Sequence, residues 1–379
     1  MRIPFSVSLA FHCFLIFTFV SRIIPLIGLV SIFAIILIVS NFDSFKKLEK
    51  NEIGFLILFT IIVFIMTSIN TFFSLVTFFH FFISMLSLAT AVVLTRSVNV
   101  YYLSSKWSLI AFQFIVVLYV LFKGLDNYPA VVPLENMVNE SSANGITSYT
   151  ILLQVNYAFV SYFVFKKLTF KTALITLFIA LVSYGRGSIL SALLILLLLT
   201  FSYIIKLKGK TIVIYFLMTF ILISFITQLY WNEILFFIEA NTKLSAGIVD
   251  KQRSQILNEY IEKMDLWGFF FGVDYQGTSV LNEFNSNPHN SFVRAHHIFG
   301  LPYLLIIIFS PFYLIFNKDR IFKDSIFFAI LILILFFRVF SEPIVFPTLF
   351  DFYFFSIILI LGKNHLPKLK SEGTVYGLN

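Results

Sequence analysis

Residues 186–210 read RGSILSALLILLLLTFSYIIKLKGK. An arginine between two glycines opens the stretch, and no further charge appears until Lys206, Lys208 and Lys210 close it. An uncharged apolar run of this length is a membrane span, because only a helix satisfies its own backbone polar groups in hydrocarbon. Its ends also orient it. Lysines collect on the cytoplasmic side of a bilayer, so Arg186 is expected at the opposite face.

The rest of the chain repeats this pattern. Of 379 residues, 59% are hydrophobic and 12% charged, and 51 are Phe. That leaves too little polar surface to cover a soluble core. Apolar segments run over 5–21, 23–41, 53–69, 71–94, 107–122, 149–165, 172–185, 187–205, 211–229, 291–316, 325–340 and 348–362. The expected fold is an all-α membrane protein of about twelve transmembrane helices, with 1–379 as one polytopic domain. The first segment has no small-residue cleavage site and is followed at once by another span, so it is expected to be retained rather than cleaved as a signal peptide.

The loop lysines test the count. Lys46, Lys47 and Lys50; Lys166, Lys167 and Lys171; Lys206, Lys208 and Lys210; Lys318, Arg320 and Lys323; and Lys363, Lys368 and Lys370 form five groups. Twelve spans put all five on one side and both termini in the cytoplasm, whereas eleven or thirteen break the agreement. The net charge of +8 is therefore distributed over loops, which excludes a nucleic-acid-binding face. The single Cys13 lies within the first span and excludes a disulfide framework or a cysteine metal site. The tail from Ser371 to Asn379 is short and polar, the composition of a disordered end.

What remains gathers on the outer face. The loop from Lys123 to Ser148 is mildly acidic, and a larger loop spans 230–290, between helices 9 and 10. Within it Ile256, Leu257, Tyr260, Ile261 and Met264 form the stripe of an amphipathic helix, with Arg253 one turn before Leu257. Phe271-Gly272-Val273 is expected to break that helix. Such a helix lies along the membrane surface or caps the bundle.

Candidate chemistry lies beside these loops. Arg186 stands between Gly185 and Gly187, which permit a tight turn and close approach by a ligand. A snorkelling arginine is the plain alternative, but an outward arginine runs against the charge trend. Arg338 precedes Glu342 by four residues at the outer end of its helix. Arginines converging on one face point to a phosphate or diphosphate, whose oxygens match the guanidinium fork. There is no HExxH, no Cys/His spacing, no Asp-x-Asp pair and no phosphate-binding glycine loop, so neither a metal nor a nucleotide donor is expected. His289 sits at a loop-to-helix junction between Pro288 and Asn290, close to Arg294, with His296 and His297 further along. A wet histidine titrating near about 6.5 suits proton transfer.

Together these residues resemble the O-antigen polymerase and O-antigen ligase superfamily of bacterial envelope enzymes. Four features carry the likeness across roughly residues 172–362. They are Arg186-Gly187 before the apolar run 188–199; Arg253 followed by Phe271-Gly272-Val273; His289-Asn290, then Gly300 and Tyr303; and Glu342-Pro343 before the last helix. Where a second glycine commonly follows Phe-Gly-Val, this chain has Asp274. The resemblance implies a metal-independent, cofactor-free, inverting glycosyltransferase at the periplasmic face of the bacterial inner membrane. Its expected partners are an undecaprenyl-diphosphate-linked oligosaccharide, membrane lipids and a chain-length regulator protein, with no nucleic acid. Carried over, Arg186 and Arg253 bind the diphosphate, His289 is the base, and Glu342 is the reserve base. Arg294, Arg338, Asn290 and His296 are expected to bind substrate around them.

Two enzyme readings stay open: a polymerase of lipid-linked repeat units, and a ligase passing finished glycan to lipid A-core, toward which the histidine spacing leans. A lipid-linked glycan transporter is a reading of another class. Transporters place ionisable groups at the midplane and often show two related halves. Here the midplane polar residues are His80, Gln113, Gln154 and Asn156, which read better as interhelical hydrogen-bond partners.

Overall fold

A computed structural model describes residues 3–21, 24–69, 75–123, 134–138, 143–205, 228–229, 232–233, 251–284, 286–317 and 321–363. The chain enters through α1 (Phe5–Ser21), α2 (Ile24–Ser40), a short 3-10 turn (Phe42–Lys47), α3 (Lys50–Ile69) and α4 (Leu75–Thr95). It continues through α5 (Val98–Lys123), α6 (Ala143–Phe165), α7 (Phe170–Val182) and α8 (Arg186–Ile204). Beyond lie α9 (Lys251–Glu262), α10 (Leu266–Phe271), α11 (Ser279–Asn282), α12 (Ser291–Phe316), α13 (Phe322–Ser341) and α14 (Asp351–Gly362). No strand occurs among the described residues.

Seven of these helices, α3, α4, α5, α6, α8, α12 and α13, are long and apolar enough to cross a membrane. α1, α2, α7 and α14 are apolar but shorter. This is the architecture of a multi-pass membrane protein. The expected span 211–229 and the tail from Ser371 lie outside the described residues, apart from 228–229. Two helices start well before their apolar stretch: α5 begins at Val98 rather than 107, and α6 at Ala143 rather than 149. Polar residues interrupt these openings, Asn99, Ser104, Ser105 and Lys106 in α5 and Asn144, Thr147 and Ser148 in α6, so hydropathy alone does not register them. In α6 that early start shortens the acidic outer loop and brings Asn144 and Ser148 into a helix.

α14 and α6 form the centre. Every residue of α14 is buried, and α6 is buried along almost its whole length. α4, α12 and α6 surround α14, while α5, α13 and α7 surround α6. Gln113 Nε2 donates to Thr172 O and to Thr176 Oγ1 (2.8 and 2.9 Å), and Gln154 Nε2 donates to Thr169 Oγ1 (3.0 Å). Tyr101 donates to Asn156 Oδ1 (2.9 Å), and Asn156 Nδ2 donates to Ser105 Oγ (3.1 Å). The interior amides are interhelical partners, as their positions implied. Large apolar side chains such as Phe64, Phe78, Phe114, Leu197, Phe201, Phe309 and Phe340 point outward, as on a surface solvated by lipid.

α6 and α13 run antiparallel and are pinned at both ends. At one end Tyr162 and Lys166 meet Asp324 at 2.9 and 2.7 Å. At the other, Arg338 Nη2 donates to Asn144 O at 3.1 Å and bonds Ser148 Oγ. The first end also holds Glu52, Arg96 and Lys363. The bundle thus has a lysine-bearing end, where Lys166 and Lys363 lie, and an arginine end, where Arg338 lies.

Candidate functional site

The arginine end is built where α13 stops. Glu342 leaves the helix in an extended conformation (φ −153°, ψ 138°), which turns its carboxylate back across the helix terminus. Arg253 reaches it from α9: Nη2 donates to Glu342 Oε1 at 3.0 Å and Nη1 to Ser341 O at 2.6 Å. Arg338 Nη2 lies 3.7 Å from the same Oε1. One carboxylate oxygen therefore stands between two guanidinium groups. The i, i+4 pair visible in the sequence is the longer contact, and the partner 89 positions away is the nearer one.

Exposure divides the labour. The Arg253 side chain is 32% exposed and the Arg338 side chain 2%, so a ligand meets the first and not the second. Arg338 also donates to Ser341 Oγ at 2.7 Å, and a Cβ on Gly187 would stand only 3.0 Å from its Nη1. Arg338, expected to bind substrate, sits buried here as a brace between α6, α8 and Glu342. Gly187 is required by that close approach, which sets the start of α8 against the brace.

Arg186 is the first residue of α8, half-buried, beside this cluster. Among the described residues its Nη1 is buried and has no hydrogen-bond partner, and the same holds for Arg338 Nε. Buried donors of charged groups normally carry a partner. Among the described residues three arginines thus meet one carboxylate at this end, beside the unpartnered Asn144 Oδ1 and Ser188 Oγ.

Ser291 links the next component. Its Oγ donates to Glu342 O at 2.8 Å, fixing the start of α12 to the exit of α13. Asn290 caps α12, its Oδ1 accepting from Phe292 N and Val293 N at 2.8 and 3.2 Å. That oxygen is committed to the backbone, as a helix cap requires. His289 directly precedes it, half-buried, with φ 50° and its ring edge-on to Phe284 at 5.5 Å. Its peptide N–H donates to Asn287 Oδ1 (3.0 Å), which fixes the backbone where the side chain departs.

Arg294 is turned away from the arginines. Nε and Nη2 donate to Phe346 O and Val345 O at 3.2 and 2.7 Å. Asp351 holds the same loop from the other side, accepting from Phe346 N and Thr348 N at 2.7 and 3.1 Å. Both residues stabilise the segment that follows Glu342, and Arg294 is a loop support in place of the expected substrate contact. His296 is likewise occupied at both nitrogens: Nε2–H donates to Phe269 O, and Nδ1 accepts from the Tyr260 hydroxyl, each at 2.8 Å. Burial pushes the Tyr260 hydroxyl well above its ordinary pKa, so it remains a donor. His296, expected to bind substrate, latches α12 to the loop helices here.

The amphipathic helix is present as α9, but it stops at Glu262, and Asp265 starts the separate helix α10 by accepting from Gly268 N at 2.6 Å. The break thus precedes Phe271-Gly272-Val273. Gly272 (φ 99°) then ends α10. Sequence reasoning missed Ser291, Ser341, Asn144, Ser148 and Asp351. Only the four-residue spacing of Asn144 and Ser148 offered a signal, a polar face on a helix start. No group of three or more His, Cys, Asp or Glu able to hold a metal occurs among the described residues.

In sum, the arrangement can bind an anion at Arg253 and Arg186, present a carboxylate between cations, and offer a histidine at the same end. No protein-family model, curated protein or solved structure matches the chain.

Proposed function

We propose that the chain is a polymerase joining undecaprenyl-diphosphate-linked oligosaccharide repeat units at the outer face of the bacterial cytoplasmic membrane, with twelve spans and both termini inside. The observation that carries this reading is the cationic excess at the arginine end: one carboxylate between Arg253 and Arg338, with Arg186 alongside. A diphosphate supplies further negative charge in the geometry that guanidinium groups favour. The lysine-bearing end carries the cytoplasmic charges of the positive-inside rule.

In the reaction, an acceptor sugar hydroxyl attacks the anomeric carbon of the lipid-linked glycan. The new C–O bond forms as the bond to the diphosphate oxygen breaks, and the electron pair leaves with the lipid diphosphate. Arg253 and Arg186 stabilise the charge that grows there, a preorganised electrostatic contribution. The hydroxyl proton passes to His289 as general base. Diphosphate binding to Arg253 competes with Glu342 and frees that carboxylate as the reserve base. The attack inverts the anomeric centre.

The ligase remains the second reading, favoured by the spacing of His289-Asn290, Gly300 and Tyr303. The transporter reading is weaker, since the interior amides Gln113, Gln154 and Asn156 are hydrogen-bonded to neighbouring helices rather than arrayed along a path. Deletion of the gene, followed by gel analysis of lipopolysaccharide and of lipid-linked glycans, tests the proposal. A core carrying a single repeat is expected. Bare core with long polymer left on the carrier would identify the ligase, and unchanged lipopolysaccharide would reject both.

A further inference from the structure

The segment Leu266-Trp267-Gly268-Phe269-Phe270-Phe271-Gly272-Val273 carries no charge, and Asp265 and Asp274 bracket it. On α10, Leu266 is 78% exposed, Trp267 51%, Phe269 44% and Phe270 43%. In water this would be a costly surface for six residues of helix. Its position explains it.

α10 packs on α12 where that helix bends. Gly300 (φ 66°, ψ −172°) interrupts α12, and a Cβ there would collide with Phe270 O and stand 2.9 Å from Phe271 Cα. Met66 Cε would lie 2.6 Å from the same Cβ. Met66 belongs to the last turn of α3, inside a helix apolar enough to span the membrane. α10 is therefore level with spanning residues rather than above them. Exposed apolar side chains also occur on both helices that α10 meets, Ile61, Phe64 and Ile65 on α3 and Leu305 and Phe309 on α12.

The backbone is prepared for such a place. Hydrocarbon offers no hydrogen bonds, so exposed carbonyls there need protein partners. His296 Nε2 serves Phe269 O, and His297 Nδ1 serves Val273 O at 2.6 Å. Asp265 accepts from Gly268 N, and Gly272 N donates to Gly268 O at 2.9 Å. Two adjacent histidines on α12 thus close the backbone of a loop helix, a use not apparent from their spacing.

We propose that α10 is inserted among the acyl chains of the bilayer, a lipid anchor that holds α9 at the membrane surface. His296 and Tyr260 make the connection, joining α10 to the helix that carries Arg253. The anchor itself does not depend on the glycan reading. Apolar side chains on a short interfacial helix partition into the acyl boundary in this way.

The chain has three Trp, so Trp107→Phe with Trp231→Phe leaves Trp267 as the sole indole. That protein, reconstituted in phosphatidylcholine vesicles with acyl-chain bromines, is expected to lose Trp267 emission relative to unbrominated vesicles, while aqueous iodide leaves it unchanged. Quenching by iodide without quenching by bromine would place α10 in water and overturn the proposal. Protection from both quenchers would mean that protein covers the face, and would overturn it too. Trp107, alone in the companion variant, verifies that the vesicles hold folded protein.

Discussion

The molecule contains two buried arginine–glutamate clusters, one at each end, and they differ in completeness. At the lysine-bearing end Arg96 grips Glu52 with both terminal nitrogens, donates to Val92 O and Lys47 O at 3.1 Å each, and leaves the carboxylate with no exposed side-chain surface. Arg96 and Glu52 are each surrounded by partners, with Lys363 close to both. At the arginine end a single carboxylate stands between two guanidinium groups, one of them a third exposed, with a third arginine nearby. The first cluster is a closed joint between α3 and α4. The second sets one carboxylate against two guanidinium groups among the described residues, with the Arg253 side chain open to solvent.

Removing one partner separates the two most sharply. Glu52→Ala leaves Arg96 uncompensated in a buried setting and is expected to destabilise the protein by about 3–5 kcal/mol. Thermal unfolding in detergent reads this, with activity per folded molecule retained. Arg253→Ala should do the reverse, lowering glycan polymerisation on the order of 100-fold while the unfolding temperature stays near that of the parent. Arg253→Lys, which keeps charge but loses the fork, is expected to recover only part of the rate. A loss of stability in place of activity would make the two clusters alike.

Smaller effects probe what holds Arg253 in place. Gly300→Ala puts a Cβ into the backbone of α10 at a positive φ, with expected strain of about 1–3 kcal/mol. Its signature is a red shift of Trp267 emission as α10 leaves α12. The smallest effect is a pH dependence. Glu259 accepts from Ser279 N and Oγ at 2.8 and 2.7 Å, and these bonds hold its carboxyl below the ordinary 4.5. Because the folded-state value is lowered, the tether between α9 and α11 is present above 4.5 and lost as pH falls through the folded-state value. Hydrogen exchange at the Ser279 amide should accelerate on acidification, and Glu259→Gln should flatten that response.

The helices were readable because apolar composition specifies them, seven being long and apolar enough to cross a membrane. Kinks and partners were not. Asn290, Gly300 and Tyr303 share a spacing with His289 that reads as a catalytic signature. In the structure Asn290 caps α12, Gly300 admits α10, and Tyr303 packs against Phe59 and Phe299. Of the four, His289 is the one proposed as base. The roles of His296 and Arg294 depend on acceptors 27 and 52 positions away, beyond the reach of any local pattern. Arg186 was singled out by a charge against the orientation trend, and Arg253 by its place one turn before Leu257 and by the family likeness.

The central claim is that the arginine end binds the diphosphate of a lipid-linked glycan during transfer. The most direct test supplies purified protein, reconstituted in vesicles, with a synthetic polyprenyl-diphosphate-linked repeat unit and follows glycan length by gel. The parent protein is expected to give a ladder, Arg253→Ala none, and Lys363→Ala, altered at the opposite end, a ladder like the parent. A full ladder from Arg253→Ala would contradict the claim.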